Sequence, residues 1–356
     1  MRVLALGFLL LVLIGTPAVA QNSAFADPRL EAAVREAVGK PTGELTETDL
    51  LGLTNLDASK REIGSLEGIE ACANLVRLVL KENRVHDLTP LAALTKLEEL
   101  VLTSNAVESV APLAGLTRLR MLDLDWNAIS NVSPLANLAN LTWLGLWDCH
   151  VKDWSPLAGL VNLTTLGLGG NSGSDAAPLA GLVALEWLGL QNNALTALRP
   201  LAGLTHLKYL GLGGNPVADL SPLAGLTHLI KLGLHETQVR DLAPLANLRS
   251  LEWLSLWKDP LEDLSPLASL TKLSHLWLDE TGVSDLSPLS GLASLSVLGL
   301  SKNRIVDLSP LVANPGLSEG DQLDLSANPL DLAQGSLASQ AVESLRDRGA
   351  TVVTDP

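Results

Sequence analysis

The chain has 356 residues, a formal net charge of −15 at pH 7 and a hydrophobic content of 47%. An acidic chain repels phosphate backbones, so nucleic acid is not expected as a partner. The length alone would allow two or three domains, but a 22-residue periodicity in the sequence predicts a single repetitive architecture instead.

The first twenty residues have the three parts of a secretory signal peptide. Arg2 supplies the positive end, the run from 3 to 14 is apolar, and Ala18-Val19-Ala20 is a small-residue cleavage site. The apolar run is shorter than the ~20 residues that span a bilayer, so a retained membrane anchor is the less favoured alternative. We therefore predict that residues 1–20 are removed and that the protein is secreted or periplasmic, with no stable membrane insertion after cleavage.

Residues 21–52 are predicted to form a helical N-terminal cap. Asp27 and Pro28 start an amphipathic helix that continues to about Val38, with Asp as the cap and Pro in the first turn. The segment 46–49 opens a second short helix. Both helices are expected to cover the open hydrophobic end of the repeats that follow.

The central part of the chain repeats with a period of 22 residues, marked by a leucine at 53, 75, 97, 119, 141, 163, 185, 207, 229, 251, 273 and 295. In the eleven repeats from Leu75 to Leu295, positions 4 and 6 counted from that leucine are also leucine and alternate with variable residues at 3, 5 and 7. This is the pattern of a strand with one buried face, within the LxxLxLxxN form of a leucine-rich repeat. We predict that residues 53–330 form an α/β leucine-rich-repeat solenoid of about 13 coils, called rungs below. It has one parallel β-sheet on its concave face and short 3-10 or helical turns on its convex face.

Three further positions predict how each rung turns. Position 9 is usually Asn, which can hydrogen-bond the turning backbone and build a ladder along the stack; Cys149, Thr237, Asp259 and Thr281 replace it. Position 16 is Pro in eleven rungs, and a preceding Ser or Thr is expected to cap a short helical turn there. Position 13 is often Asp, which favours a turn-initiating role over the alternative of a calcium ladder.

Two details concern packing between rungs. In the sixth rung, Gly173 and Ala176 replace large aliphatic residues, and one rung earlier Trp154 replaces leucine, which indicates an exchange of volume. Cys72 and Cys149 fall in the first and fifth rungs. Their separation is well over ~10 Å at the usual strand spacing, so we predict two free, structural thiols.

After position 295 the phase slips by three residues. A final strand is predicted at 323–325, and residues 331–356 are predicted to form the C-terminal cap. Within that cap we expect a helix from about Leu337 to Arg348, followed by a closing strand at 351–353.

The SPLAGLT repeats, the helical N-terminal cap and the ending NPGL…GD…LDLS.NPL resemble those of the internalin-type leucine-rich-repeat proteins of bacteria. The resemblance covers nearly all of the chain after residue 20. It implies the solenoid fold and the binding of protein partners through the concave sheet. The sequence contains no immunoglobulin-like region or cell-wall sorting signal of the kind found in surface-anchored members, so covalent surface display is not expected.

The aromatic residues predict where a ligand binds. Seven of the eight Trp and the single Tyr fall at positions 3, 5, 7 or 8, on the expected solvent side of the sheet: Trp126, Trp143, Trp147, Trp187, Tyr209, Trp253, Trp257 and Trp277. Position 5 is glycine in five successive rungs, at Gly145, Gly167, Gly189, Gly211 and Gly233, which suggests a trough where a ligand approaches the backbone. Polar residues at its rim include Asp125, His235 and Asp279. Copying of repeats, or packing of the Trp rings on one another, is the alternative explanation.

The favoured function is recognition of a protein partner through this concave face, because clustered exposed aromatics mark interaction sites. A carbohydrate- or cell-wall-binding module that uses the Trp rings as platforms, and a structural envelope protein without a ligand, remain alternatives. No nucleophile with a closed pocket accompanies the His and Asp residues, so the chain is not expected to be an enzyme. No cofactor or metal is predicted.

Overall fold

The computed structural model describes residues 25–355, and the predicted signal peptide at 1–20 lies outside the described residues. The helices are α1 (Pro28–Ala37), α2 (Glu47–Leu51), α3 (Ser309–Ala313) and α4 (Leu337–Asp347). The strands are β1 (Asn55–Asp57), β2 (Arg77–Val79), β3 (Glu99–Val101), β4 (Met121–Asp123), β5 (Trp143–Gly145), β6 (Thr165–Gly167), β7 (Trp187–Gly189), β8 (Tyr209–Gly211), β9 (Lys231–Gly233), β10 (Trp253–Ser255), β11 (His275–Trp277), β12 (Val297–Gly299), β13 (Gln322–Asp324) and β14 (Thr351–Val353).

The 14 strands form one parallel sheet in chain order. From β1 to β12 the paired residues are 22 apart, as in Trp187 with Tyr209 and Leu188 with Leu210, so equivalent positions of successive rungs lie side by side. Rung n therefore carries strand βn. The predicted solenoid with a single parallel sheet is confirmed.

Alternation within each strand places one side of the sheet in the core. The leucines at positions 4 and 6 are fully buried throughout the stack, as at Leu188 and Leu190. Each strand is only three residues long because the chain bends soon after it, at position 8. Residues there adopt the left-handed region, with φ of 55° at Trp126 and 56° at Glu236, which is uncommon for a residue other than glycine.

The asparagine ladder predicted at position 9 is present. In Asn193, for example, Nδ2 donates to the carbonyl oxygens of Leu168 in the preceding rung and Leu190 in its own rung, both at 2.9 Å. Its Oδ1 accepts from the N–H of Gly173 at 2.8 Å. Each such side chain ties two rungs together through backbone groups that the turn would otherwise leave buried and unpaired.

The convex side consists of short 3-10 turns, as expected, at Ile69–Ala71, Thr89–Ala93, Ala111–Gly115, Ser133–Leu135, Ser155–Leu157, Ala177–Leu179, Arg199–Gly203, Ser221–Leu223, Ala243–Leu245, Ser265–Ser269 and Ser287–Leu289. The predicted hydroxyl cap is wrong. In the Ser155–Leu157 turn, Ser155 is already the first residue, Pro156 is the second, and the cap is Trp154, which makes no side-chain cap bond. The carboxylate of Asp153 instead accepts from the N–H of Ser155 at 2.9 Å, in agreement with a turn-initiating Asp at position 13.

Both ends of the stack carry the elements expected from the sequence. Asp27 caps α1 and Thr46 forms a capping box with Asp49 at the start of α2. At the other end β13 lies one residue earlier than predicted, while α4 and β14 fall in the predicted segments. Among residues 25–355, the helices are too short or too polar to cross a membrane.

The packing predictions also hold. Trp154 is 1% exposed, and a Cβ placed on Gly173 would lie 2.2 Å from Cζ2 of its indole. Cys72 and Cys149 are both free and buried. The volume exchange and the absence of a disulfide between these two cysteines are thereby confirmed.

Candidate functional site

The predicted aromatic residues lie on the solvent side of the sheet. Trp143, Trp187, Tyr209 and Trp253 begin β5, β7, β8 and β10, and Trp277 ends β11. Trp147 and Trp257 follow their strands by two residues, at position 7, and Trp126 occupies the bend at position 8. We call these eight residues the aromatic face. Seven of them are half-buried, and Trp126 is 53% exposed.

Several rings of the aromatic face pair face to face across neighbouring rungs. The rings of Trp187 and Tyr209 are stacked, with centroids 4.7 Å apart and planes 5° apart. Imidazole and indole stack in the same way at His235 and Trp257, at 4.9 Å and 3°. This spacing equals that of neighbouring strands, about 4.8 Å, so in each pair one ring covers a face of the ring in the next rung. Trp253 and Trp277 meet at 4.8 Å with a tilt of 49°.

The glycine column at position 5 provides the space for these side chains. A Cβ on Gly145 would lie 2.7 Å from Cη2 of Trp143, and one on Gly189 would lie 2.8 Å from Cη2 of Trp187. A Cβ on Gly211 would clash with the amide of Gln191. At Gly167 and Gly233 the nearest ring atoms are 3.8 and 3.7 Å away. At Gly145, Gly189 and Gly211 the floor expected to be open to a ligand is therefore covered by the chain's own side chains, and these three glycines let those side chains lie against the sheet.

Gln191 is a member of this surface that the sequence analysis did not single out. Its Nε2 donates to the hydroxyl oxygen of Tyr209 at 2.6 Å, while its buried Oε1 has no hydrogen-bond partner within the described chain. Burial raises the pKa of Tyr209 above its ordinary value. Gln191 lies at position 7, which also holds Trp147 and Trp257. Its place in that column is the feature of the sequence that could have identified it as a residue of this surface.

An acidic group borders the aromatic face at rungs 4 and 5. Asp125 accepts from the N–H of Trp147 at 2.7 Å, and Asp148 accepts from Nε1 of Trp126 at 3.1 Å. Burial raises the pKa of Asp125 to about 6, with further increases from the charges of Asp123 and Asp148 and an opposing effect of the Trp147 N–H. This end of the face concentrates negative charge beside exposed indole.

Mixed charge lies near rungs 9 and 10. Lys258 places its Nζ 4.7 Å from the centre of the Trp257 ring and donates to Glu236 at 2.6 Å. Burial lowers the pKa of His235, with Glu236 opposing the shift, which favours a neutral imidazole against Trp257. A neutral ring stacked in this way serves as a contact surface.

Asp279 lies further along the stack. Its Oδ1 accepts from the N–H and hydroxyl of Ser301 at 2.9 and 2.7 Å, and its other oxygen covers Gly299. Asp125, His235 and Asp279 are thus spread over rungs 4 to 11 and do not converge on one point. The arrangement suits recognition along a surface rather than catalysis at a centre.

The concave surface also holds an open groove of about 450 Å³ beside the Trp187–Tyr209 pair, bordered by Thr165, Glu186 and Lys231 among others. A larger groove of about 560 Å³ lies on the convex side between α3 and α4 and contains none of the predicted site residues. Within residues 25–355 no three His, Cys, Asp or Glu side chains are grouped as metal ligands.

Comparisons with known proteins agree with this architecture. A family model described as "Leucine rich repeat" matches residues 73–129, and one described as "Leucine Rich repeats (2 copies)" matches residues 183–225. Internalin H of Listeria monocytogenes is 41% identical over 72 residues, which are 20% of this chain and 13% of that protein. The matched part is therefore a small fraction of that relative's length.

Solved structures extend the similarity to nearly the whole chain. An internalin (inlF) from Listeria monocytogenes is 31% identical, with a TM-score of 0.87, and the alignment covers 94% of this chain and 97% of that one. The functional domain of InlJ from the same species aligns at 20% identity and a TM-score of 0.70, over 91% of this chain and 78% of that one. The second similarity concerns the fold alone.

Proposed function

This chain belongs to the internalin-type leucine-rich-repeat proteins of bacteria, and from that premise we propose that it is an exported, non-enzymatic protein that binds a protein partner across its aromatic face. Export follows from the signal-peptide pattern of residues 1–20. The observation that carries the proposal is the row of half-buried aromatic side chains held on the solvent side of the sheet.

The size and chemistry of the aromatic face support a protein partner. From rung 5 to rung 11 the sheet extends about 29 Å at the usual strand spacing, which is long enough for an extended segment or a convex domain surface. Trp and Tyr side chains bury large areas at low cost in side-chain entropy, and they are enriched at protein interfaces. Stacking and hydrogen bonding hold several of the rings in place before binding, which lowers the ordering cost further.

Ring orientation disfavours the carbohydrate alternative. Stacking on a sugar needs an aromatic face turned to solvent, whereas Trp187 pairs its face with Tyr209, and Trp257 pairs with His235. A ligand-free spacer, the third alternative, would have no use for indoles such as that of Trp126, which is 53% exposed.

The proposal can be tested by affinity capture with immobilised residues 21–356. A triple variant, W143A/W187A/W253A, removes three of the four aromatic side chains at position 3 and leaves Tyr209. A matched control, V161A/V183A, removes exposed apolar side chains outside the aromatic face. We expect a partner captured by the wild type and the control but lost with the triple variant, with circular dichroism showing that all three proteins are folded.

Two outcomes would contradict the proposal. If the folded triple variant retained its partner, the concave surface would not be the binding site. If a glycan array gave saturable binding that disappeared in the triple variant, while no protein was captured, the carbohydrate alternative would replace the proposal.

A further inference from the structure

The residue at position 9 donates a hydrogen bond in every rung from 2 to 12 except one. Asn215 donates from Nδ2 to the carbonyl oxygens of Leu190 and Leu212 at 2.8 and 2.7 Å. Where asparagine is replaced by Cys149 or Thr281, donation to a carbonyl is kept: Cys149 donates through sulfur to the Leu124 carbonyl, and Thr281 donates to the Leu278 carbonyl. Thr237 also donates, but to the carboxylate of Asp259. Asp259 is the exception, because an ionised carboxylate has no proton to donate.

Asp259 is fully buried, with 0% exposure. Its Oδ1 accepts from the N–H and the hydroxyl of Thr237 at 2.8 and 2.7 Å. Its Oδ2 has no hydrogen-bond partner among residues 25–355. By register, Oδ2 corresponds to the Nδ2 of the asparagine rungs, which donates to carbonyls 25 and 3 residues earlier; the equivalents here are Leu234 and Leu256.

The charge state of Asp259 follows from these contacts. A buried carboxylate oxygen that no donor of the described chain reaches is costly, whereas a carboxylic acid supplies the missing O–H. Burial accordingly raises the pKa of Asp259 to about 7, with the Thr237 and Val239 bonds opposing and Glu236 adding to the increase. The charged side chains on its own and the adjoining rungs are Lys231, Glu236, Arg240, Asp241, Arg249, Glu252, Lys258, Glu262, Asp263, Lys272, Asp279, Glu280 and Asp285. Of these, Lys258 and Arg240 are already paired with Glu236 and Glu262.

We propose that Asp259 is a protonation switch in the ladder. As a neutral acid it donates from Oδ2 to the Leu234 carbonyl and ties rung 10 to rung 9; on losing that proton to water it loosens the same two rungs. Trp257 lies two residues before Asp259 and stacks on His235 of rung 9, so the switch reaches the aromatic face. If the partner binds at the aromatic face, this loosening should weaken its binding at higher pH. That consequence alone rests on the proposed function.

The switch can be tested on the protein alone, so failure of the test is distinguishable from failure of the proposed function. D259N supplies the missing amide donor. We expect wild-type unfolding between pH 4 and about 7 to release one more proton than D259N unfolding does, because the unfolded Asp is ionised while the folded one is not. D259N is therefore expected to resist urea better than the wild type at pH 8. The control D263N changes an exposed turn aspartate of the same rung and should behave as the wild type.

If D259N does not fold, a second variant and a direct titration of the carboxyl group can still test the proposal. N215D places a carboxyl at a ladder position that is also buried, with 1% exposure, and should add a further pH-dependent loss of stability. In ¹³C-aspartate-labelled protein, the carboxyl signal missing from D259N should titrate near pH 7 in the wild type. Equal pH slopes in wild type and D259N, an unchanged slope in N215D, or titration of Asp259 near pH 4 would each overturn the switch.

Discussion

The indole of Trp154 occupies the space that a side chain at Gly173 would need. A Cβ on Gly173 would lie 2.2 Å from Cζ2 and 2.6 Å from Cε2 of Trp154. The indole is fully enclosed, and its Nε1 donates to the carbonyl oxygen of Val151 at 3.2 Å. The large side chain of rung 5 thus fills the space left by the missing side chain of rung 6.

This relationship predicts strong coupling between the two positions. W154L should lower the free energy of unfolding by ~2–4 kcal/mol, because it leaves a cavity and removes the Nε1 bond. G173V alone should cost ~1–3 kcal/mol or more through overpacking. In the double variant the valine partly fills the cavity, so the loss should be smaller than the sum of the single losses. Urea unfolding of the four proteins measures the coupling energy.

A matched comparison combines W154L with V283A, several rungs away, where the losses should add within ~0.5 kcal/mol. Additive losses for W154L and G173V as well would contradict the idea of a shared volume.

The sequence predicted the backbone and the buried leucines well because the repeat period fixes both. Leu188 and Leu190 alternate with Trp187 and Gly189, and that alternation alone places the indole on the solvent side. Ring orientation could not be predicted in this way. The stacking of Trp187 on Tyr209 depends on side-chain torsions and on contacts between rungs, neither of which a single repeat contains.

The convex turn shows a second limit. Ser before Pro usually signals a helix cap, yet Ser155 is inside its turn, and Asp153 binds its N–H instead. A turn capped by Ser155 and a turn that begins one residue earlier, at the Trp154 cap, have the same sequence. The local residue preferences therefore could not decide between the two starting points. The role of Gly189 could not be predicted for a similar reason. A trough that is open to a ligand and a surface that an indole covers both require a residue without a Cβ.

The glycine column can be tested by adding that Cβ. In G189A the methyl group would lie 2.8 Å from Cη2 of Trp187 and 3.0 Å from Cζ3 of Trp147, so both rings must move. We expect altered tryptophan fluorescence and a loss of ~1–3 kcal/mol in unfolding free energy, which outweighs the ~0.5–1 kcal/mol that alanine gains over glycine in a strand. The control G203A lies in a convex turn with nothing within 4 Å of the added methyl and should be neutral or stabilising. Unchanged fluorescence and stability in G189A would show that the rings do not depend on the glycine.

Asp125 predicts a pH dependence at the other end of the aromatic face. Its pKa is raised to about 6, first by burial and then by Asp123 and Asp148, whereas in the unfolded chain it is near 3.8. Between these values the folded state holds a proton that the unfolded state lacks, so stability should fall as pH rises from about 4 to about 6. After allowance for solvent screening the loss is ~1–2 kcal/mol.

D125N keeps an oxygen that can accept the Trp147 N–H bond but cannot ionise, so it should lose this part of the pH slope. Trp147 fluorescence should titrate near pH 6 in the wild type and stay flat in the variant. D153N, an exposed turn aspartate, is the control. A D125N slope equal to that of the wild type would mean that Asp125 is already ionised in the folded state at pH 5.

The two cysteines should be unreactive in the folded protein. Burial raises the pKa of the Cys72 thiol to about 11, with a smaller contribution from Glu70, and burial raises that of Cys149 to about 12. At pH 8 the thiolate, which is the reactive species, is then ~0.1% or less of either residue, and neither sulfur is accessible to a reagent.

Ellman's reagent should therefore label no thiol in the native protein and two in 6 M guanidinium chloride, while reducing agents leave the melting temperature unchanged. C72S and C149S should each reduce the denatured count to one. Rapid labelling of native wild-type protein that disappears in C149S would mean that rung 5 opens at the ladder, because Cys149 donates there to the Leu124 carbonyl.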